Sequence, residues 1–486
     1  MNSLNRDLCA DWSDYAEQQA VITPAGEVLT YQALAEAADS YFPQAATGTK
    51  ELVVLVADNS LTALIAYVAC WRSRRAVMLQ PATLDEASLA ALLETYQPDW
   101  LIDPRHAKMP ERLTHSDSSG AQIHSELAVL LSTSGSTGSP KQVRLSYGNL
   151  NANARAIAEY LALDASERPL CHLPMSYSYG LSVINSHLAV GATLLLTADS
   201  MMAREFWNFC KEARLTSLPG VPYHYEMLER LRFERMALPS LRTLTQAGGR
   251  LAPEKILHWR AFCEASTCDK GERRFIPMYG QTEASARISY LPWEQSAAYP
   301  QCIGVAIPGG SLSLEENGQP VTGTDEPGEL VYRGPNVMMG YAQSRDELGK
   351  GAELEALHTG DIACRNAAGL FYIVGRKKRF IKLFGLRVSL DEVESRLRQH
   401  WPEAALACTG EDQRLDIWWV AQGAASVHNA AALPEAESMP DAAAFASVLS
   451  FHPSVIRVNA VASLPYNANG KLDYQALRAA NEKAAP

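Results

Sequence analysis

The stretch that most limits what this chain can become runs from residue 126 to residue 141. It reads ELAVLL and then STSGSTGSPK. The apolar run predicts a buried strand. The ten residues after it are too polar for a core and well suited to an anion. Gly135 and Gly138 let the backbone turn until its N–H groups converge, Ser132, Thr133, Ser134, Ser136 and Thr137 add hydroxyl donors, and Lys141 adds a positive charge. A strand feeding such a loop is a common cradle for nucleotide phosphates. Composition alone also fits a flexible Ser/Gly linker. The spacing is not that of a Walker loop, which needs four residues between a glycine and Gly-Lys-Ser/Thr, so an ordinary P-loop ATPase is disfavoured.

Residues 51–102 repeat a strand, helix, strand rhythm. Apolar runs at 52–57 and 76–79 flank a helical segment at 61–74, and a helix beginning near 85 leads into the strand-like 99–102. That order predicts a mostly parallel sheet with crossover helices. At 486 residues the chain exceeds what one hydrophobic core supports, so two or more domains are expected. A net charge of −11 and a pI near 5.6 argue against a nucleic-acid partner, which calls for a basic face. Nine cysteines are scattered without a Cys-x-x-Cys pair. This speaks against a disulfide framework or structural zinc and for a reducing, cytoplasmic setting. Cys263 and Cys268, the closest pair, are expected to be packed side chains. Residues 1–19 carry acids and no apolar segment, so no signal peptide is expected. The longest apolar stretch, 61–71, is too short to span a bilayer, so no membrane partner is expected.

Beyond the loop, 150–163 has helical spacing, and 169–174 and 192–197 read as strands around a helix carrying His187, which is expected to be structural. Residues 244–246 form a short strand entering Ala247-Gly248-Gly249, whose paired glycines imply a close approach to the backbone. From about residue 300, IPGG, ENGQP, EPGEL and YRGP punctuate short strands and predict a barrel-like or sandwich-like β module. A boundary is expected at 375, with 1–375 as the larger domain and 376–486 as a small C-terminal one. A helix at 389–400, acidic in its first turn, belongs to the latter, and the Ala- and Pro-rich 422–443 reads as a loop inside it. The expected fold class is α/β: layered, mostly parallel sheets with a β-barrel-like module at about 300–375, plus a small α+β C-terminal domain.

Four further motifs follow in order: YGQTE at 279–283, HTGD at 358–361, GRKKRFIKLFGLRV at 375–388 and NGK at 469–471. Singly each is weak. YGQTE fits an exposed turn, Thr-Gly-Asp fits another, and Lys471 fits a surface lysine. Together with STSGSTGSPK, in this order and over residues 10–480, they resemble the AMP-forming adenylation superfamily. That superfamily holds acyl- and aryl-CoA synthetases, the adenylation domains of peptide synthetases, and luciferases.

The resemblance implies a carboxylate oxygen attacking the α-phosphorus of ATP, two anions that repel each other, so the site must supply cations and oriented donors. It implies that Ser134, Gly135, Ser136, Thr137, Gly138 and Lys141 hold the β- and γ-phosphates, that Thr282 hydrogen-bonds the α-phosphate, and that Glu283 ligates Mg2+. Tyr279 would offer its ring to the adenine, with Gly280 and Gln281 beside it. Gly248 and Gly249 would border the adenine cleft and Val221-Pro222 the acyl pocket. Asp361 would receive the ribose hydroxyls, Arg376 would reach the same nucleotide, and Lys471 would bridge the attacking carboxylate and the α-phosphate. In this family the C-terminal domain is mobile and rotates after adenylation. Lys378 stands at the hinge position and Gly385 by the entering pantetheine arm, where a side chain would obstruct it. The implied cofactors are ATP, Mg2+ and a phosphopantetheine thiol, of coenzyme A or of a carrier protein.

Two departures bear on the acid. Relatives often carry PxFHxxG, whereas residues 174–180 read PMSYSYG. Tyr177 thus takes the place of the histidine that gates the carboxylate channel, and Tyr177 and Tyr179 equally fit core aromatics. Counting back from Gly191-Ala192 puts Ser178 where amino-acid-activating domains carry an Asp for the substrate ammonium. Without that anion an α-amino acid would bury an uncompensated charge at a cost of several kcal/mol, so a fatty, hydroxy or aryl acid is expected. No Asp-Ser-Leu carrier signature appears, so a carrier protein would be a separate chain. The basic run 376–379 would suit an acidic carrier helix or the phosphates of coenzyme A. The readings left open are a stand-alone amino-acid adenylation enzyme, a luciferase-type oxygenase and an inactive nucleotide-binding scaffold. The last is disfavoured because Thr282, Glu283, Asp361, Arg376 and Lys471 are all present.

Overall fold

A computed structural model describes residues 7–9, 12–43, 49–106, 109–113, 122–132, 141–269, 271–377, 379–384, 386–402, 404–420, 439–466 and 472–483. The chain divides into two compact units, the first made of residues 1–312 and 332–357, the second of 313–331 and 358–486.

In the first unit the apolar runs become the middle of a seven-stranded sheet. Leu52–Ala57 lies between Ala76–Pro81 and Trp100–Ile102, and Leu127–Ser132 lies beyond Ala76–Pro81, all parallel. Every side chain of Leu52–Ala57 is buried, as a sheet covered on both faces demands. Parallel neighbours need long crossovers, and helices Leu61–Arg72 and Glu86–Tyr96 supply two. Ser60 and Asp85 start them by accepting from Ala63 N at 3.2 Å and Ser88 N at 2.8 Å. The first ends short of residue 74, because Arg74 turns into the left-handed region at φ +58°. The outer strands are not parallel: Gln142–Ser146, Gly340–Ala342 and Glu111–Arg112 each join antiparallel.

A second sheet sets Ser217–Gly220, Thr243–Gln246 and Arg274–Tyr279 side by side in parallel. These strands run directly into Val221-Pro222, Ala247-Gly248-Gly249 and Gly280-Gln281, so all three turns leave from one carboxyl end, the end where open α/β sheets bind ligands. A four-stranded sheet joins Val28–Thr30, Gln19–Ile22, Leu194–Leu196 and Leu170–Cys171. Helix Tyr147–Tyr160 opens with a Ser146/Asn149 capping box. Helix Ser178–Leu188 is buried at every residue. Within it His187 is a core histidine, its Nδ1–H donating to the Val183 carbonyl at 2.8 Å.

Most of a five-stranded sheet belongs to the second unit, in the order Gln319–Val321, Ser311–Glu316, Gly328–Arg333, Leu357–Arg365, Phe371–Arg376. This is what the Gly- and Pro-punctuated stretch builds. The hairpin Phe380–Leu383 and Leu386–Ser389 follows, then helix Leu390–His400 and a three-stranded sheet of Leu406–Glu411, Arg414–Val420 and Ile456–Val461. Helix Ala442–Leu449 is capped by Asp441, and residues 421–438, most of the expected loop, lie outside the described residues. All nine cysteines are free, and only Cys268 is not buried. No helix among the described residues is long and apolar enough to cross a membrane.

Candidate active site

The phosphate-loop candidates Ser134, Gly135, Ser136, Thr137 and Gly138 lie outside the described residues, but both ends of the loop are fixed. Strand Leu127–Ser132 enters it and strand Gln142–Ser146 leaves it, paired antiparallel with Ser132 opposite Gln142. Gln142 Nε2 donates to Ser132 Oγ at 3.1 Å. Lys141, at the exit, places its ammonium 3.3 Å from the centroid of the Tyr341 ring. The Tyr341 hydroxyl donates to Glu283 Oε1 at 3.0 Å. A cation, a phenol and a carboxylate therefore stand in series. Burial, with the Glu283 carboxylate adding to it, raises the Tyr341 pKa, so the hydroxyl keeps the proton it donates. Tyr341 carried no sequence signal. It reaches the site because Gly340–Ala342 pairs with the strand leaving the loop, Tyr341 opposite Val143.

The YGQTE residues occupy the turn after Arg274–Tyr279. Gly280 is obligatory there, since a Cβ would run into the Ala286 carbonyl oxygen. Gln281 Nε2 donates to the Tyr279 hydroxyl at 3.2 Å. Thr282 and Glu283 open a single 3-10 turn, and the Thr282 and Ser178 hydroxyls meet at 3.1 Å. Two non-glycine residues then sit at positive φ, Ser285 at +56° and Ala286 at +116°. Such strain persists only where neighbours over-determine the backbone. Asn336 does so, its Nδ2 donating to the Ala284 carbonyl at 2.7 Å and the Arg287 carbonyl at 2.8 Å while its own carbonyl accepts from Ser285 Oγ at 2.9 Å.

Tyr177 precedes helix Ser178–Leu188, and its hydroxyl stands over Gly248, whose φ of +83° and missing Cβ leave room for it. Burial raises the Tyr177 pKa. A Cβ on Gly249 would lie 3.1 Å from Pro222. The first unit thus brings together Lys141, Glu283, Thr282, Ser178, Tyr177 and Gly248.

In the second unit Asp361 and Arg376 are register partners across strands Leu357–Arg365 and Phe371–Arg376, and Arg376 Nε donates to Asp361 Oδ1 at 3.0 Å. Asp361 is buried while the Arg376 side chain is largely exposed. The basic run is matched within its own unit. Lys377 pairs with Glu329 at 2.9 Å, and Arg379 with Asp391 at 2.6 Å and Glu394 at 2.7 Å. Lys378, Gly385 and Lys471 lie outside the described residues. Among the described residues no group of three His, Cys, Asp or Glu could hold a metal ion, so a magnesium site would need substrate oxygens beside Glu283.

Known proteins share both the sequence and the fold. The chain is 29% identical over 359 residues to the L-proline–[L-prolyl-carrier protein] ligase of Pseudomonas fluorescens, covering 72% of this chain and 68% of that protein. It is 29% identical over 299 residues to the medium-chain fatty-acid–CoA ligase of Escherichia coli, covering 60% of this chain but only half of that protein. O-succinylbenzoate coenzyme A synthetase from Bacillus subtilis, solved in complex with AMP, shares the fold at a TM-score of 0.75 and 21% identity, over 94% of this chain and 95% of that one. The AMP-binding enzyme family profile matches residues 10–342, which take in the loop, the YGQTE turn and Tyr341, and the chain belongs to that family.

Proposed function

We propose that the chain is an AMP-forming acid–thiol ligase that activates a carboxylic acid with Mg-ATP and passes the acyl group to a pantetheine thiol. The observation that carries this reading is the junction at residues 282–283. There the Thr282 hydroxyl, the Glu283 carboxylate and, through Tyr341, the Lys141 ammonium meet in a chain of the AMP-binding family. In the first step the substrate carboxylate attacks the α-phosphorus, and the bond to pyrophosphate breaks. Ser134, Gly135, Ser136, Thr137, Gly138 and Lys141 hold the departing phosphates, and Thr282 donates to the α-phosphate as charge builds on it. Glu283 suits magnesium: it is a hard oxygen donor with Oε1 already fixed by Tyr341, and when bound the ion neutralises phosphate charge. Tyr279, Gly280, Gln281, Gly248 and Gly249 border the adenine, Asp361 and Arg376 take the ribose side, and Tyr177 stands at the carboxylate channel. Lys471 supplies the charge that brings the two anions together. In the second step the thiol sulfur attacks the acyl carbon and AMP leaves. Residues 376–486 act as a lid that turns at Lys378 between the steps, with Gly385 beside the pantetheine arm.

The acceptor is coenzyme A or a carrier protein on a separate chain, and we favour the carrier. The acid is fatty, hydroxy or aryl, because Ser178 provides no anion for an ammonium and already bonds Thr282. The prolyl-carrier ligase among the relatives favours a second reading, a stand-alone amino-acid adenylation enzyme. Nine free cysteines suit a reducing cytoplasm. Carboxylate-dependent ATP–pyrophosphate exchange over fatty, hydroxy, aryl and amino acids tests this. Exchange with one class supports the ligase and names its acid. ATP binding without exchange on any acid returns weight to a scaffold.

A further inference from the structure

Five arginines among the described residues are buried: Arg75, Arg144, Arg273, Arg287 and Arg379. Four are matched by their own chain. Arg75 pairs with Glu51 at 2.6 Å, Arg144 pairs with Glu353, and Arg379 pairs with Asp391 and Glu394. Arg273 donates to the carbonyls of Leu241 at 2.9 Å and Leu238 at 3.1 Å and to Ser266 Oγ at 2.8 Å. Arg287 is different. It is 2% exposed, its guanidinium lies over the Tyr179 ring at 4.1 Å from the centroid, and the polar group alongside is the Tyr160 hydroxyl. Its Nε has no acceptor, and among the described residues no carboxylate pairs with it. An arginine cannot shed its proton to escape this. A buried charge with no counter-ion weighs against folding.

The fold nevertheless holds Arg287 in place. Its carbonyl accepts from Asn153 Nδ2 at 3.3 Å and Asn336 Nδ2 at 2.8 Å, just after the strained turn that carries Thr282 and Glu283. The ring beneath its guanidinium belongs to helix Ser178–Leu188, whose first residue bonds Thr282 and whose cap, Tyr177, stands over Gly248. Burial raises the Tyr177 hydroxyl pKa, and the Arg287 charge acts against that rise. Over the Tyr179 ring and beside the Tyr160 hydroxyl, the guanidinium still has its Nε–H without an acceptor, a charged donor that a carboxylate can take.

We infer that Arg287 is the counter-ion for a second carboxylate on the acyl substrate, at the end remote from the carboxyl group that is activated, so that the enzyme takes dicarboxylic acids. This rests on the ligase reading and narrows it. It also bears on Ser178, because a substrate ammonium entering this pocket would meet a cation instead of an anion.

The test is ATP–pyrophosphate exchange by the wild-type enzyme on acids matched in length and shape: glutarate against valerate, adipate against hexanoate, terephthalate against 4-methylbenzoate. At least one diacid is expected to exceed its monocarboxylate partner in kcat/KM by about 10²-fold, the scale of a buried charge pair. In Arg287→Met that advantage should disappear through a raised KM for the diacid, and Arg287→Lys should recover part of it. Monocarboxylates serving as well as their diacid partners in the wild type would overturn the inference, and so would an advantage that survives in Arg287→Met. The wild-type comparison needs no variant, so a misfolded variant leaves the decision intact. If no acid supports exchange while ATP still binds, the ligase reading fails by itself. The inference is then decided by thermal melting with the same acids. A melting temperature raised by diacids and not by monocarboxylates, and lost in Arg287→Met, supports it, and no difference overturns it.

Discussion

Arg379 in the second unit and Arg287 in the first are both buried cations, yet their surroundings are opposite. Arg379 is paired by Asp391 and Glu394, its guanidinium lies 3.7 Å from the centroid of the Tyr474 ring, and the Tyr474 hydroxyl donates to Glu394 at 3.1 Å. Glu394 also accepts from Cys408 N at 2.8 Å. Among the described residues Arg287 meets two tyrosines and no acid. A charge matched within its own chain is part of the fold, whereas a charge held in place and left unmatched is a socket for a ligand. The sharpest break of this contrast is a pair of substitutions. Arg379→Met takes a cation from the buried Glu394, which keeps only Arg398, and from the partly buried Asp391, and should destabilise the second unit by about 3 kcal/mol. Arg287→Met removes a charge that no carboxylate among the described residues answers, and should leave stability within about 1 kcal/mol of wild type or raise it. Urea denaturation of the two variants decides, and equal losses would abolish the distinction.

Chain position sets the Arg379 network beside Lys471, the lysine we propose for the adenylation step. Tyr474 follows Lys471 by three positions, and just before it Leu472 bridges to Tyr466 and Asp473 N donates to the Pro465 carbonyl at 2.8 Å. Lys471→Ala should therefore do the reverse of Arg379→Met. It leaves the melting curve in place and slows adenylate formation by about 10²- to 10³-fold, the loss for one transition-state donor. Thiolysis of a supplied acyl-adenylate should be nearly intact. Equal loss in both half-reactions would remove Lys471 from the adenylation step.

Acid should act on the Arg287 side. His187 is buried in the helix whose Tyr179 carries Arg287, and its pKa is pushed down to about 4, first by burial, then by the charges of Arg287 and Arg242, with the Val183 carbonyl opposing. The folded value lies below the ordinary 6.5, so the unfolded chain takes up the proton first. His187 thus contributes stability that is fully present above pH 6.5 and is lost as pH falls toward 4. The loss reaches about 3 kcal/mol at the lower end. In Arg287→Met one of the depressing charges is gone, so the acid loss should shrink, while Arg379→Met should keep it whole. Urea midpoints at pH 7, 5.5 and 4.5 read this directly.

The parts legible in the sequence were those whose signal is local. The apolar run at 52–57 became a strand buried throughout, the helix after it began where Ser60 caps it, and the turn at Ala247-Gly248-Gly249 declared itself by its paired glycines. Helix 61–74 ran two residues too long because the left-handed turn at Arg74 has no glycine to mark it. Tyr341 and Arg287 were illegible for another reason. Tyr341 stands 58 positions from Glu283 and reaches it only through strand pairing, and Arg287 is buried only because two helices from earlier in the chain close over it. Neither residue type is unusual where it stands. Asp361 and Arg376 could be marked as candidates from their motifs, but their ion pair depends on the antiparallel register that sets them opposite each other.

The smallest effect belongs to Tyr341, the member of the first unit's polar series that the sequence did not announce. Tyr341→Phe deletes the hydroxyl that donates to Glu283 Oε1 and keeps the ring beneath the Lys141 ammonium. Loss of one hydrogen bond to a charged group should slow adenylation about tenfold, less than the loss at Lys471. The loss should appear as a higher magnesium requirement, because Glu283, the ligand we propose for the ion, is then free to rotate. Tyr341→Leu removes the ring too and should cost a few-fold more, the scale of an exposed cation–π contact. The two substitutions separate orientation of the carboxylate from placement of the lysine. If Tyr341→Phe matches wild type at every magnesium concentration, Glu283 is oriented without this phenol, and the series from Lys141 to Glu283 is packing alone.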